Sequence, residues 1–109
     1  MNSKLHNIEE YFNEIFEMNK LVEDAVLMIH KIRLDDNSSL YEDTDLEEKY
    51  MIKQAEISYD GVEILLNREG MFPSFILKFI LKGVKCHYLY EIEYNSQGEV
   101  LDDYFEKIE

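Results

Sequence analysis

Tyrosine and carboxylate are the reactive side chains that this sequence repeats at close spacing. They interleave as Tyr88-Leu89-Tyr90-Glu91-Ile92-Glu93-Tyr94 and return as Leu101-Asp102-Asp103-Tyr104-Phe105. Strand side chains alternate between faces, so Cys86, Tyr88, Tyr90, Ile92 and Tyr94 share one face while Glu91 and Glu93 take the other. Two chemistries fit this pattern. A tyrosine stripe packs a core or a sheet edge with its hydroxyl reaching water. Tyrosines beside carboxylates also form a protein-binding face, offering rigid area while the acids answer Lys or Arg opposite. A second acid cluster fills residues 35–48, where Asp35, Asp36, Glu42, Asp43, Asp45, Glu47 and Glu48 occur without a single Lys or Arg. It reads either as a solvated loop or as a docking surface for a cationic groove.

Other chemistry finds less support. Asp35-Asp36-Asn37 and Glu42-Asp43-Thr44-Asp45 lack the glycine and terminal glutamate of a calcium loop. His6, His30 and His87 have neither i, i+4 spacing nor cysteine neighbours arranged for zinc. Gly-x-Ser-x-Gly, phosphate-loop and Gly-x-Gly-x-x-Gly patterns are absent from the sequence. Cys86 and His87 are consecutive, so on a strand they face opposite ways and cannot pair as nucleophile and base. His30 falls near the apolar side of a helix and reads as a core-edge residue. The expectation is therefore no metal, no cofactor and no catalytic set.

The elements that must position these residues follow from apolar periodicity. Leu5, Ile8, Phe12, Ile15 and Phe16, then Val22, Ala25, Val26, Ile29 and Ile32, recur three or four apart, which predicts helices over about 4–33. Asn7 with Glu10 fits a capping box, and a shift of the apolar stripe near Asn19 suggests two helices. The acidic residues 35–48 read as a loop. Strands are expected over about 50–107, and residues 44–54 fit either a helix capped at Thr44 by Glu47 or the start of a strand. Tyr59-Asp60-Gly61-Val62 carries a strong hairpin signal, Pro73 a loop, and Gly83 and Asn95-Ser96-Gln97-Gly98 further turns. The result is a single α+β domain, with N-terminal helices packed on an antiparallel sheet of four or five meander strands. A curved sheet wrapped around a helix is the variant of that plan.

The chain has 109 residues, with 24 Asp or Glu against 11 Lys or Arg and a formal charge of −13. Leu, Ile, Val and Phe make up about a third of it, well above the ~20% below which a highly charged chain stays disordered. Such a charge repels nucleic acid and anionic membranes and attracts basic proteins. No apolar run approaches the ~20 residues of a membrane span, and the start of the sequence lacks a signal-peptide pattern. One cysteine, Cys86, cannot form an internal disulfide and suits reducing cytosol, so a cytoplasmic protein is expected. Low Gly and Pro with abundant Lys, Ile, Asn and Glu suit an AT-rich bacterial gene.

In size, charge and architecture, with the acid run at 35–48 and the tyrosine–acid segments at 88–94 and 101–105, the chain resembles the small acidic immunity proteins. These neutralise bacterial toxins delivered between competing cells, including those of contact-dependent growth inhibition. The resemblance implies a stoichiometric inhibitor, not an enzyme, whose partner is a basic toxin, for example a nuclease domain. Candidate contact residues, from composition and placement, are Asp35, Asp36, Glu42, Asp43, Asp45, Tyr88, Tyr90, Glu91, Glu93, Tyr94, Asp102, Asp103 and Tyr104. A nucleic-acid mimic that occupies a DNA-binding groove is a competing reading and predicts carboxylates spaced along one long face. A small ligand-binding or enzymatic α+β domain is another, and predicts a deep cavity lined by Tyr and Phe. Oligomeric state stays open, because an unpaired edge strand permits dimerisation.

Overall fold

A computed structural model describes residues 18–65, 74–95 and 97–108. Within them a helix, α1 (Met18–Leu34), is followed by a 3-10 turn (Ser39–Tyr41) and a short helix, α2 (Leu46–Gln54). Four strands follow: β1 (Glu56–Leu65), β2 (Ser74–Lys82), β3 (His87–Tyr94) and β4 (Val100–Lys107). They form one antiparallel sheet in the order β1-β2-β3-β4, the meander of an α+β architecture.

α1 forms because Leu21, Val22, Ala25, Ile29 and Ile32 repeat at helical spacing and bury one stripe, with Ala25 and Ile29 fully enclosed. Lys31 and Arg33 in its last turn complement the helix dipole. Asp35 ends it by accepting the Asn37 amide at 3.0 Å. Asn19, expected to separate two helices, is itself helical. The proposed Asn7–Glu10 cap and the Pro73 loop lie outside the described residues.

Two boundaries differ from the sequence reading. The acidic stretch is not a plain loop, since it contains the 3-10 turn and the first turn of α2. Residues 46–54 are helix, so the strands begin at Glu56 rather than near residue 50. The cap is Asp45, one residue after Thr44: its carboxylate accepts the Glu48 amide at 2.7 Å, while Thr44 Oγ1 donates to Tyr41 O at 2.9 Å.

The Asp60-Gly61 hairpin is also corrected. These two residues form a bulge inside β1, where the register against β2 jumps from Tyr59 to Gly61. A type I′ turn needs positive φ at both central residues, but only Gly61 has it, at 140°. The inserted residue resets the two-residue alternation. Ile57 and Tyr59 before it, and Val62 and Ile64 after it, consequently reach the same face, opposite Leu81, Phe79, Leu77 and Phe75.

That face is the core. Phe75, Leu77, Phe79 and Leu81 of β2 and Tyr88, Tyr90, Ile92 and Tyr94 of β3 are all at most 4% exposed. They pack with Ala25 and Ile29 of α1, Leu40 and Tyr41 of the 3-10 turn, and Ile52 and Ala55 at α2. Arg33 ties the two helices together. Its buried guanidinium donates to Ile52 O at 3.1 Å and Ala55 O at 2.6 Å, satisfying carbonyls at the end of α2. It also donates to His30 Nδ1 at 2.8 Å. His30 is exposed, so it braces Arg33 from outside rather than edging the core.

Candidate partner-binding face

Directly opposed residues of antiparallel strands point to one face, so the register sets out the face turned away from the core. One row is Glu63, Ile76, Glu93 and Asp102; the next is Gly61, Lys78, Glu91 and Tyr104; the third is Ser58, Ile80, Leu89 and Glu106. Ile76, Ile80 and Leu89 are only half-buried there, which leaves an apolar floor among charges.

The charges on this face are unevenly matched. Lys78 Nζ pairs with Glu63 at 2.9 Å and reaches Glu91 at 3.7 Å, and chiefly the hydrogen bond to Glu63 raises its pKa. Glu93 and Asp102 sit directly opposite each other across β3 and β4, and neither has a basic partner among the described residues. Like charges opposed in this way cost stability, about 0.2–1 kcal/mol relative to neutral pairs. Tyr104 stands beside them with 52% of its surface exposed. Its hydroxyl donates to Glu106 Oε2 at 2.9 Å, which raises the tyrosine pKa. Ile76, Glu91, Glu93, Asp102 and Tyr104 border a shallow depression of about 80 Å³.

Of the sequence candidates, Glu91, Glu93, Asp102 and Tyr104 are therefore brought together. Asp103 turns to the other face, where it accepts the Tyr90 hydroxyl. Tyr88, Tyr90 and Tyr94 are corrected as contact residues, because their side of β3 faces the helices and they are 1%, 0% and 4% exposed. Burial raises the pKa of all three. Tyr88 and Tyr90 also enclose Phe105 of β4, at ring separations of 5.2 and 5.8 Å.

The acidic stretch is separate and partly neutralised. Asp36 pairs with Lys53 and with Lys49 at 3.5 Å; its carboxyl pKa is lowered, first by the Lys53 hydrogen bond and then by the Lys49 charge. The same lysines lie 5.2 and 5.8 Å from the centre of the Tyr41 ring. Glu47 pairs with Lys85 at 2.7 Å and Glu48 with Lys107 at 3.7 Å, tying α2 to the β2–β3 turn and to the end of β4. Asp35 and Asp45 accept backbone amides. Glu42 and Asp43 are exposed and have no basic partner among the described residues.

Other features bear on the remaining chemistry. Cys86 is buried with Sγ 3.3 Å from the Tyr88 hydroxyl. Among the described residues no group of three or more His, Cys, Asp or Glu side chains is placed to hold a metal. Shallow depressions of about 370 and 650 Å³ along the acidic stretch are lined mainly by charged side chains, and an apolar cleft of about 200 Å³, below the ~300–1,000 Å³ usual for small-molecule sites, lies where Tyr50 and Met51 meet Gly83 and Val84. Its lining is not the Tyr and Phe of the helix–sheet interface. No helix of the described residues is long and apolar enough to cross a membrane.

Comparison with protein-family models, with curated proteins and with solved structures gives no match for this chain. Its function is read from geometry. Sequence reasoning missed Ile76, Ile80, Leu89, Lys78, Glu63 and Glu106 as members of the face. The signal existed: in β2 both alternating sets are rich in apolar residues, Phe75-Leu77-Phe79-Leu81 and Ile76-Lys78-Ile80.

Proposed function

We propose that this chain is an immunity protein that binds and neutralises a basic bacterial toxin, with the outer face of β3 and β4 as its contact surface. The observation carrying this reading is the Glu93–Asp102 pair, two unneutralised carboxylates held opposite each other beside an exposed Tyr104 and an apolar floor. A cation from a partner meets two carboxylates at once on binding, which favours a basic surface over a neutral one. Tyr104 supplies the flat, low-entropy anchor, and Glu91 and Glu106 guide approach. A nuclease exposes Lys and Arg to hold phosphate, and the carboxylates here stand in for it. The action is stoichiometric blocking in the cytoplasm rather than catalysis. Nucleic-acid mimicry has less support, since Lys78 and three apolar side chains interrupt the run of carboxylates that a phosphate backbone requires.

The test is to purify this chain with the carboxy-terminal domain encoded by the adjacent upstream gene. The expected result is a one-to-one complex whose association rate falls steeply with salt and which abolishes the toxicity of that domain. A basic toxin domain that forms no complex even at low salt overturns the proposal.

A further inference from the structure

We infer that the edge of β4, unpaired among the described residues, accepts an added strand from a cationic partner, so that recognition extends the sheet rather than only covering its face. This rests on the reading of β3 and β4 as the binding surface. The phase of the ladder identifies the available backbone groups. Ile108 N donates to His87 O at 2.9 Å. Bonded and non-bonded pairs alternate along an antiparallel ladder, so the pairs Tyr88–Lys107, Tyr90–Phe105 and Ile92–Asp103 are the non-bonded ones. The N–H and C=O groups of Asp103, Phe105 and Lys107 therefore point away from β3, out of the sheet; the Asp103 N–H donates to Asp102 Oδ1 at 2.9 Å, which leaves the amides of Phe105 and Lys107 as the available donors.

The two edges of the sheet differ in readiness. β1 is interrupted in mid-strand by the Asp60–Gly61 bulge, a device that blunts an edge against pairing. β4 is irregular only at its start, between Tyr94–Val100 and Glu93–Asp102, and runs in regular register from Asp102 to Lys107. Val100 and Leu101 on it are 50% and 55% exposed.

Charge selects the occupant. A second copy would bring its own Asp102, Asp103 and Glu106 alongside these three, and each copy carries −13 overall, so self-pairing is opposed. A foreign strand fits when cations stand opposite Asp102 and Glu106 and an apolar or aromatic side chain stands opposite Tyr104. Its signature is two Lys or Arg residues four apart with an apolar residue midway.

The experiment titrates the full chain with a synthetic nine-residue peptide that has two lysines four apart around a tyrosine and Thr or Val elsewhere. Amide hydrogen exchange is read by NMR. At a peptide concentration ten times its dissociation constant, exchange at Phe105 and Lys107 should slow about tenfold. The same peptide N-methylated at alternate residues should give no such protection. Unchanged exchange at these two amides up to about 1 mM peptide, a weak-binding ceiling near −4 kcal/mol, overturns the inference. Equal protection by the N-methylated peptide overturns it too. Repeating the measurement with the toxin domain separates this inference from the function: a toxin complex with the two amides still fast refutes strand addition and leaves the immunity reading standing. Slowed amides with peptide but no toxin complex support strand addition and refute the immunity reading.

Discussion

Two stretches of this molecule are equally acidic in sequence and differently paired in structure: among the described residues lysines meet three carboxylates of the first, leaving Glu42 and Asp43 without a cation, and one of the second. Residues 35–48 carry seven carboxylates, and so do residues 91–109. In the first, Asp36, Glu47 and Glu48 have lysine partners brought from α2, from the β2–β3 turn and from β4, and Asp35 and Asp45 hold backbone amides. In the second, Glu91 shares Lys78 with Glu63, while Glu93 and Asp102 face each other. Lys107, the cation nearest in sequence to the second cluster, reaches across to the first. The lesson is that a local charge count says little about field. What matters is where the fold spends its eleven basic residues, and it spends few of them on the outer face of β3 and β4.

The sharpest way to break this contrast is to reverse Glu93 and Asp102 together. The double variant Glu93→Lys with Asp102→Lys keeps a like-charged pair, so its stability should stay within about 0.5 kcal/mol of the parent. Its association with a basic toxin domain should slow by about 100-fold at low salt, read by stopped-flow mixing. An unchanged association rate would move the binding surface off this face. Asp45→Ala probes the other side of the comparison. Losing the α2 cap should cost about 1 kcal/mol in urea unfolding and leave the association rate at its parental value. A cap variant that folds normally yet associates slowly would show that the acidic stretch belongs to the interface.

Much of the architecture was legible because periodicity is physical. Stripes at three-to-four and two-residue spacing identified α1 and the strands, and Gly83 and Asn95 to Gly98 marked real turns, the latter with Gly98 at φ 83°. The Asp60-Gly61 error is instructive, since a hairpin and a bulge both want glycine between apolar flanks. The phase did not separate them: Ile57 and Tyr59 are odd and Val62 and Ile64 even, as a bulge within one strand requires, but a two-residue hairpin pairing Tyr59 with Val62 puts the same residues on one face, and only the pairing of both halves with β2 decides. The tyrosine stripe was ambiguous for another reason. Alternation assigns Tyr88, Tyr90 and Tyr94 to one face but does not say which face the helices cover. Pairing of charges was not legible at all, because Lys85 and Lys107 meet Glu47 and Glu48 only through the fold.

Asp102 and Asp103 compress the comparison into adjacent residues, one exposed and, among the described residues, accepting only its neighbour's amide, the other accepting the Tyr90 hydroxyl. Burial, then the bond to Asp103, pushes the Tyr90 pKa far above its ordinary value. The unfolded chain releases this proton near pH ~10, and the folded chain retains it, so the unfolded state binds fewer protons there. Stability from this group is complete below pH ~10 and declines as pH rises towards the folded pKa. Urea midpoints of the parent should fall between pH 10 and 10.5 more steeply than those of Tyr90→Phe, by roughly a few tenths of a kcal/mol. Asp102→Asn should leave that slope unchanged while weakening toxin capture. Identical slopes for the parent and Tyr90→Phe would mean that Tyr90 ionises alike in both states, and that Asp103 is as free as its neighbour.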